Sequence, residues 1–320
     1  MNQIRQFRSS TPVITREAEE AARTRLLNAM HEPTAAPRRR APRLAWRLAL
    51  AASVAVAVGT GLIVIRGVDR TAYVPVASVQ DLGELAARAV EDDPVPAPGQ
   101  WLYVKETLTP FSNEPSTYGA KLDERETLET WTSADGKQVA MDDGEGKLII
   151  EPLPEGLSSA DLGQAPVTPE EMLARVDAAV TKTPRIPADQ PGSNVDTPKD
   201  QLIFEAVRQL MSSQPLAPEV RAALFRALPL IEGVSVKQGA VDAAGRHGVA
   251  FVRIGGDERV EIIVSDEDYR FLGFYVELSV DRTWGIKDGQ FPGYLAKAGT
   301  PLVFGAQLDT RLVDKPGQLP

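Results

Sequence analysis

The residues able to do chemistry are few. Two histidines, His31 and His247, are the only imidazoles in 320 residues, and there is no cysteine. Disulfides, thiolate zinc sites and cysteine nucleophiles are therefore excluded. His31 stands beside Glu32 at the end of a short helical pattern, an ordinary place for a dipole-complementing cation. His247 lies in the turn Gly245-Arg-His-Gly248. A general base there needs a nucleophile and an orienting acid, and no motif supplies them, so the reading is an exposed turn residue. The acidic runs Asp142-Asp-Gly-Glu-Gly146 and Ser265-Asp-Glu-Asp268 lack the ligand spacing of a calcium loop and read as turns. Nucleophile elbow, Walker loop and dinucleotide fingerprint are all missing. The expectation is a protein that is not an enzyme and holds no cofactor.

Aromatic residues make the other candidate set. Trp101, Tyr103, Trp131, Phe251, Phe271 and Tyr275 fall in strand-like segments, and Trp284 joins them as a seventh candidate. They either line the concave face of a curved sheet or fill its core against helices. Periodicity does not separate the two.

The elements that would position these residues follow from charge and period. From Met1 to Arg47 there are ten Arg, no Lys and four Glu, which leaves 25 basic and 40 acidic residues in the rest of the chain. The change of sign falls on Leu48–Ile65, LALAASVAVAVGTGLIVI, which carries no charge. Its eighteen residues reach the lower limit of the about 17–25 needed to cross a bilayer. Arg38, Arg39, Arg40, Arg43 and Arg47 precede it as membrane-interface cations, and Trp46 sits where an interfacial aromatic belongs. A signal peptide and a buried core helix are the rival readings. The first has the wrong flank, since nearly fifty residues precede the run, and the second suits a helix bordered by arginines poorly. The net acidic outer region argues against nucleic-acid binding.

Four regions result: a basic cytoplasmic segment with a short helix (1–43), a transmembrane helix (44–66), an extracytoplasmic linker and helix (67–98), and an extracytoplasmic α+β domain (99–320). Within the last, period-two stretches begin at Trp101, Leu122, Lys137 and Lys147. Helical patterns follow Thr168-Pro169, Thr197-Pro198 and Pro218, and strands return from Val234 to Val280 and over Leu302–Leu312. Meander, helices, meander implies a curved antiparallel, half-barrel-like sheet covered by the central helices.

The text of Glu219-Val-Arg-Ala-Ala-Leu-Phe-Arg-Ala-Leu228, Val241-Asp-Ala-Ala-Gly-Arg-His-Gly-Val249, Ile262-Ile-Val-Ser-Asp266 and Leu312-Val-Asp-Lys-Pro-Gly-Gln-Leu-Pro320 resembles a family of actinobacterial single-pass membrane proteins of unknown function. Members are often encoded beside extracytoplasmic-function sigma factors. The outer domain more loosely resembles the half-barrel folds of lipoprotein carriers and of an anti-sigma regulator. The resemblance implies a sensory, regulatory or envelope-binding protein linked to a sigma factor system. Its partners would be the cytoplasmic membrane, a sigma factor or other cytoplasmic protein, and an envelope lipid or protein ligand. The alternative it implies is an anchored carrier or binding module for lipid, lipoprotein or cell-wall components.

Overall fold

In the computed structural model the described residues are 76, 78–112, 118–142, 144, 146–153, 158–162, 167–185, 196–284 and 294–319. The chain divides into two units, Met1–Gly67 and Val68–Pro320, and every described residue belongs to the second. The expected span at Leu48–Ile65, the five interface arginines and His31 lie outside the described residues. Among the described residues no helix is long and apolar enough to cross a membrane.

The helices begin where their capping chemistry allows. Ser78 caps α1 (Val79–Arg88) by accepting from the Asp81 amide. A one-turn helix, α2 (Ser159–Leu162), precedes α3 (Pro169–Lys182). In α3 the Thr168 hydroxyl and the Glu171 carboxylate form a reciprocal capping box, with proline in the first turn. Proline also opens α5 (Pro218–Ala227), while α4 (Lys199–Ser213) starts directly after Pro198. Arg226 of α5 clamps α1 through Glu84 at 2.7 Å and the turn after it through Glu91 at 2.6 Å.

That clamp has a pH signature. Hydrogen bonds from Arg226, then from Arg88, hold the Glu84 carboxyl at about 2, below its ordinary 4.5. A depressed acid contributes stability above its unfolded value and loses it as pH falls through the folded one. Tm should therefore fall with pH between about 5 and about 2 more steeply in the wild type than in Glu84→Gln. Parallel Tm-versus-pH curves would discard the clamp.

The strands are β1 (Trp101–Leu108), β4 (Glu126–Ser133), β5 (Gln138–Asp142), β6 (Leu148–Pro152), β7 (Ser235–Val241), β8 (His247–Gly255), β9 (Glu258–Ser265), β10 (Phe271–Leu278) and β13 (Pro301–Val313). All neighbours are antiparallel, in the order β6-β5-β4-β1-β13-β10-β9-β8-β7. The fold is α+β with one large antiparallel sheet, built from two meanders. β13 lies between them. Two short pairs absent from the sequence reading stand outside this sheet: β2 (Phe111–Ser112) with β3 (Gly119–Ala120), and β11 (Arg282–Trp284) with β12 (Tyr294–Ala296).

The helices pack on one face of the second meander. Phe204, Leu210, Leu224 and Phe225 from α4 and α5 meet Val249, Phe251, Ile262 and Val264, and all eight are fully buried. The Phe225 and Phe251 rings stack at 6.3 Å. Each such side chain removed from water contributes about 1.5–3 kcal/mol, so this layer is the main source of stability.

Candidate functional site

The central strand sets up the site. β13 pairs with β1 from Gly305 to Val313, across a bulge between Lys105 and Glu106. With β10 it pairs only from Pro301 to Ala306, opposite Glu277 to Gly273. Beyond that last rung β10 keeps company with β9 alone, and the sheet forks. One arm is 307–313 of β13; the other is the β9–β10 hairpin end around residues 265–272.

Arg246 sits in the crotch. It follows the turn Asp242-Ala-Ala-Gly245, in which Asp242 Oδ1 accepts from the amides of Ala244 and Arg246, both at 2.9 Å. Arg246 Nε donates to Asp242 Oδ2 at 2.7 Å. Its Nη2 donates to the carbonyls of Leu272 (2.9 Å) and Gln307 (2.7 Å), one on each arm. The Asp242 carboxylate is fully buried, so the guanidinium neutralises it while bridging two strands that have parted.

Two spaces border the fork. On the helix side is a cleft of about 190 Å³ with apolar walls from Val90, Leu102, Met211, Leu216, Phe271 and Leu312. Its polar edge is built around Asp93, whose two oxygens pair with Arg270 (2.8 Å) and Arg221 (3.3 Å), tying the turn after α1 to α5 and to the hairpin. Burial pulls the Arg221 guanidinium below its ordinary value, and Asp93 opposes that. Its Nε is buried without a hydrogen-bond partner. The second space is an open groove of about 600 Å³ whose rim includes Asp266, Glu267, Asp268 and Asp309 together with Arg246 and His247. Arg270, Phe271, Gln307 and Thr310 border both spaces.

The seven aromatic candidates do not converge there. Alternation along β1 places Leu102 on the cleft side and Tyr103 on the opposite face. Tyr103 and Trp131, ring centroids 5.4 Å apart, form a separate cluster with Ala140, Val313 and the half-buried Trp101. Trp131 Nε1 donates to the Gln318 carbonyl at 2.9 Å, so the segment after β13 covers it. Burial, then Glu129, raises the Tyr103 phenol. Phe251 lies in the core beneath α5, and Phe271 packs at the edge of that core and borders both spaces. Tyr275 is on the face away from the helices, edge-on to Phe304 at 5.4 Å, and donates to Glu277 at 2.9 Å. Trp284 belongs to β11, but its side chain lies outside the described residues. The set is thus divided between the two faces of the sheet, with Phe271 alone at the fork.

His247 borders the groove at the start of β8. Asp142 Oδ1 accepts from the amides of Gly144 and Gly146, which closes a turn. Burial holds Glu106 and Glu258 above the usual carboxylate range, opposed at Glu106 by Arg208 and reinforced at Glu258 by Glu205. Arg208 itself pairs with Glu205 at 2.8 Å and lies over the Phe274 ring at 4.5 Å. Among the described residues no group of three or more His, Cys, Asp or Glu is arranged to hold a metal ion.

Sequence reasoning passed over the fork. Two signals were present: Gly273 and Gly305 inside strand patterns, where glycine marks a bulge or a close backbone approach, and an arginine directly after the Asp-Ala-Ala-Gly turn. No family model matches the chain, and no curated protein matches it.

Proposed function

We propose that this chain is a single-pass membrane protein, anchored by Leu48–Ile65 with its N-terminus in the cytoplasm. The acidic domain outside, of half-barrel-like curvature, acts as a recognition module in a sigma-factor-linked regulatory system. The observation that carries the recognition reading is the contrast between a filled helix–sheet core and an open fork. A carrier of acyl chains needs an apolar chamber between helices and sheet, in the range of about 300–1,000 Å³ for drug-sized ligands. That volume is occupied by Phe204, Phe225, Phe251 and Leu224, whereas the fork offers a small cleft and a polar-rimmed groove suited to contact rather than cargo. Family resemblance and the charge reversal across the apolar run support the topology.

The test uses the full chain with an epitope at each end. In membranes resistant to carbonate wash, protease added to intact spheroplasts should remove the C-terminal epitope and spare the N-terminal one. Release by carbonate, or loss of the N-terminal epitope first, contradicts anchoring. Failure to recover any sigma factor on purification from membranes contradicts the regulatory half.

A further inference from the structure

The fork leaves a strand edge without a neighbouring strand, among the described residues, beside two spaces. From Gln307 onward β13 has β1 on one side and, among the described residues, no strand on the other, because its pairing with β10 ends at Ala306. The Gln307 carbonyl is taken by Arg246; the rest of that edge faces the two spaces that share Gln307 and Thr310. An open edge is a template for another extended chain.

The two spaces also say what side chains such a chain would carry. Successive residues of a strand point to opposite faces of the sheet. One set would enter the cleft of about 190 Å³, against Leu102, Met211 and Leu216, which suits an aliphatic side chain. The other set would meet the groove rim formed by Asp266, Glu267 and Asp309. The arginines nearby do not cancel that rim, since Arg246 is committed to the buried Asp242 and Arg270 to Asp93. Arg311 does pair with Asp309, but at an exposed position where such a pair contributes little. The groove therefore favours cations.

We infer that the open edge of β13 is a docking site for an extended peptide in which aliphatic and basic side chains alternate. This rests on the reading of the domain as a recognition module and gives that module its ligand class. Backbone pairing supplies affinity without sequence demand, and the two-sided lining supplies the selection.

The experiment measures fluorescence anisotropy of labelled peptides of about six residues, a typical strand length, on the detergent-solubilised full chain. The probes are alternating Val–Lys, alternating Val–Glu, and two Val–Lys peptides N-methylated on the odd or on the even amides. Val–Lys should bind at least about tenfold tighter than Val–Glu. Asp266→Lys combined with Glu267→Lys should remove that preference. One methylated register should lose about tenfold or more in affinity and the other less, because only alternate amides face β13. Absence of Val–Lys binding, equal binding of Val–Glu, or unimpaired binding of both methylated peptides overturns the inference. The methylated pair keeps the test valid if the double variant fails to fold. Spheroplast topology is read separately: peptide binding with failed anchoring leaves this inference standing, and anchoring without peptide binding removes this inference alone.

Discussion

Replacing Gly273 with alanine should destabilise the domain by about 3 kcal/mol, near the upper end of overpacking costs. In a domain of this size that lowers Tm by roughly 6–12 °C. The physical cause is contact with backbone, which no rotamer change relieves. A Cβ at Gly273 would be driven into the Gly305 carbonyl oxygen and would stand 2.9 Å from the Ala306 Cα. Gly273 is the last β10 residue paired with β13, so the methyl group prises apart the final rung before the fork. The glycine whose carbonyl is struck offers no relief either. A Cβ on Gly305 would itself meet the Phe274 ring at 2.7 Å and Leu108 at 2.8 Å. Thermal unfolding followed by tryptophan fluorescence checks the value, and amide exchange should show the loss concentrated in β10 and β13. A Tm within about 1 °C of wild type would mean that the two strands are not held this close.

The second large effect belongs to Arg246. Arg246→Ala leaves the fully buried Asp242 without its cation and two carbonyls without their shared donor. Breaking a buried pair from one side costs about 3–5 kcal/mol, and the partial exposure of Arg246 lowers the expectation to about 2–4 kcal/mol. Arg246→Lys should recover only part of this, because one ammonium on a flexible stem does not reproduce a planar fork that reaches a carboxylate and two strands. Asp242→Asn should be milder than Asp242→Ala, since it keeps the acceptor for the Ala244 and Arg246 amides. The double variant Arg246→Ala/Asp242→Ala should cost less than the sum of the singles, with a coupling of about 1–3 kcal/mol. Additive losses would assign the arginine to surface solvation instead.

The sequence made most elements legible because their chemistry is local. Thr168 with Glu171, and proline at 169 and 218, announce α3 and α5, and the turn residues after Val241 and Ile254 mark the second meander. What escaped is what depends on pairing between distant segments. Nothing in Pro301–Val313 states that this strand joins β1 to β10, nearly two hundred residues away in the first case. The partial register with β10 is less legible still, for it depends on which side of a bulge each glycine falls. The aromatic candidates show the same limit. Trp131 and Phe251 both read as buried in a strand, and only the pleat phase of their neighbours puts one beneath α5 and the other under the Gln318 carbonyl. Charge escaped for a different reason. Arg246 and Arg221 look like ordinary surface cations until Asp242 and Asp93 are brought against them.

The position of β13 bears on the order of assembly. It is made after both meanders and is the middle strand in space. Until it arrives, β1 and β10 each present a bare central edge, and the two meanders have no direct pairing with one another. Each half can form its local hairpins early, but the joint between them is a late, high-contact-order event. The first meander therefore waits with the β1 edge bare from its completion at Pro152 until β13 emerges at Pro301, a period in which that edge is open to a wrong partner. The sheet therefore closes last at its centre, where β13 joins the two halves.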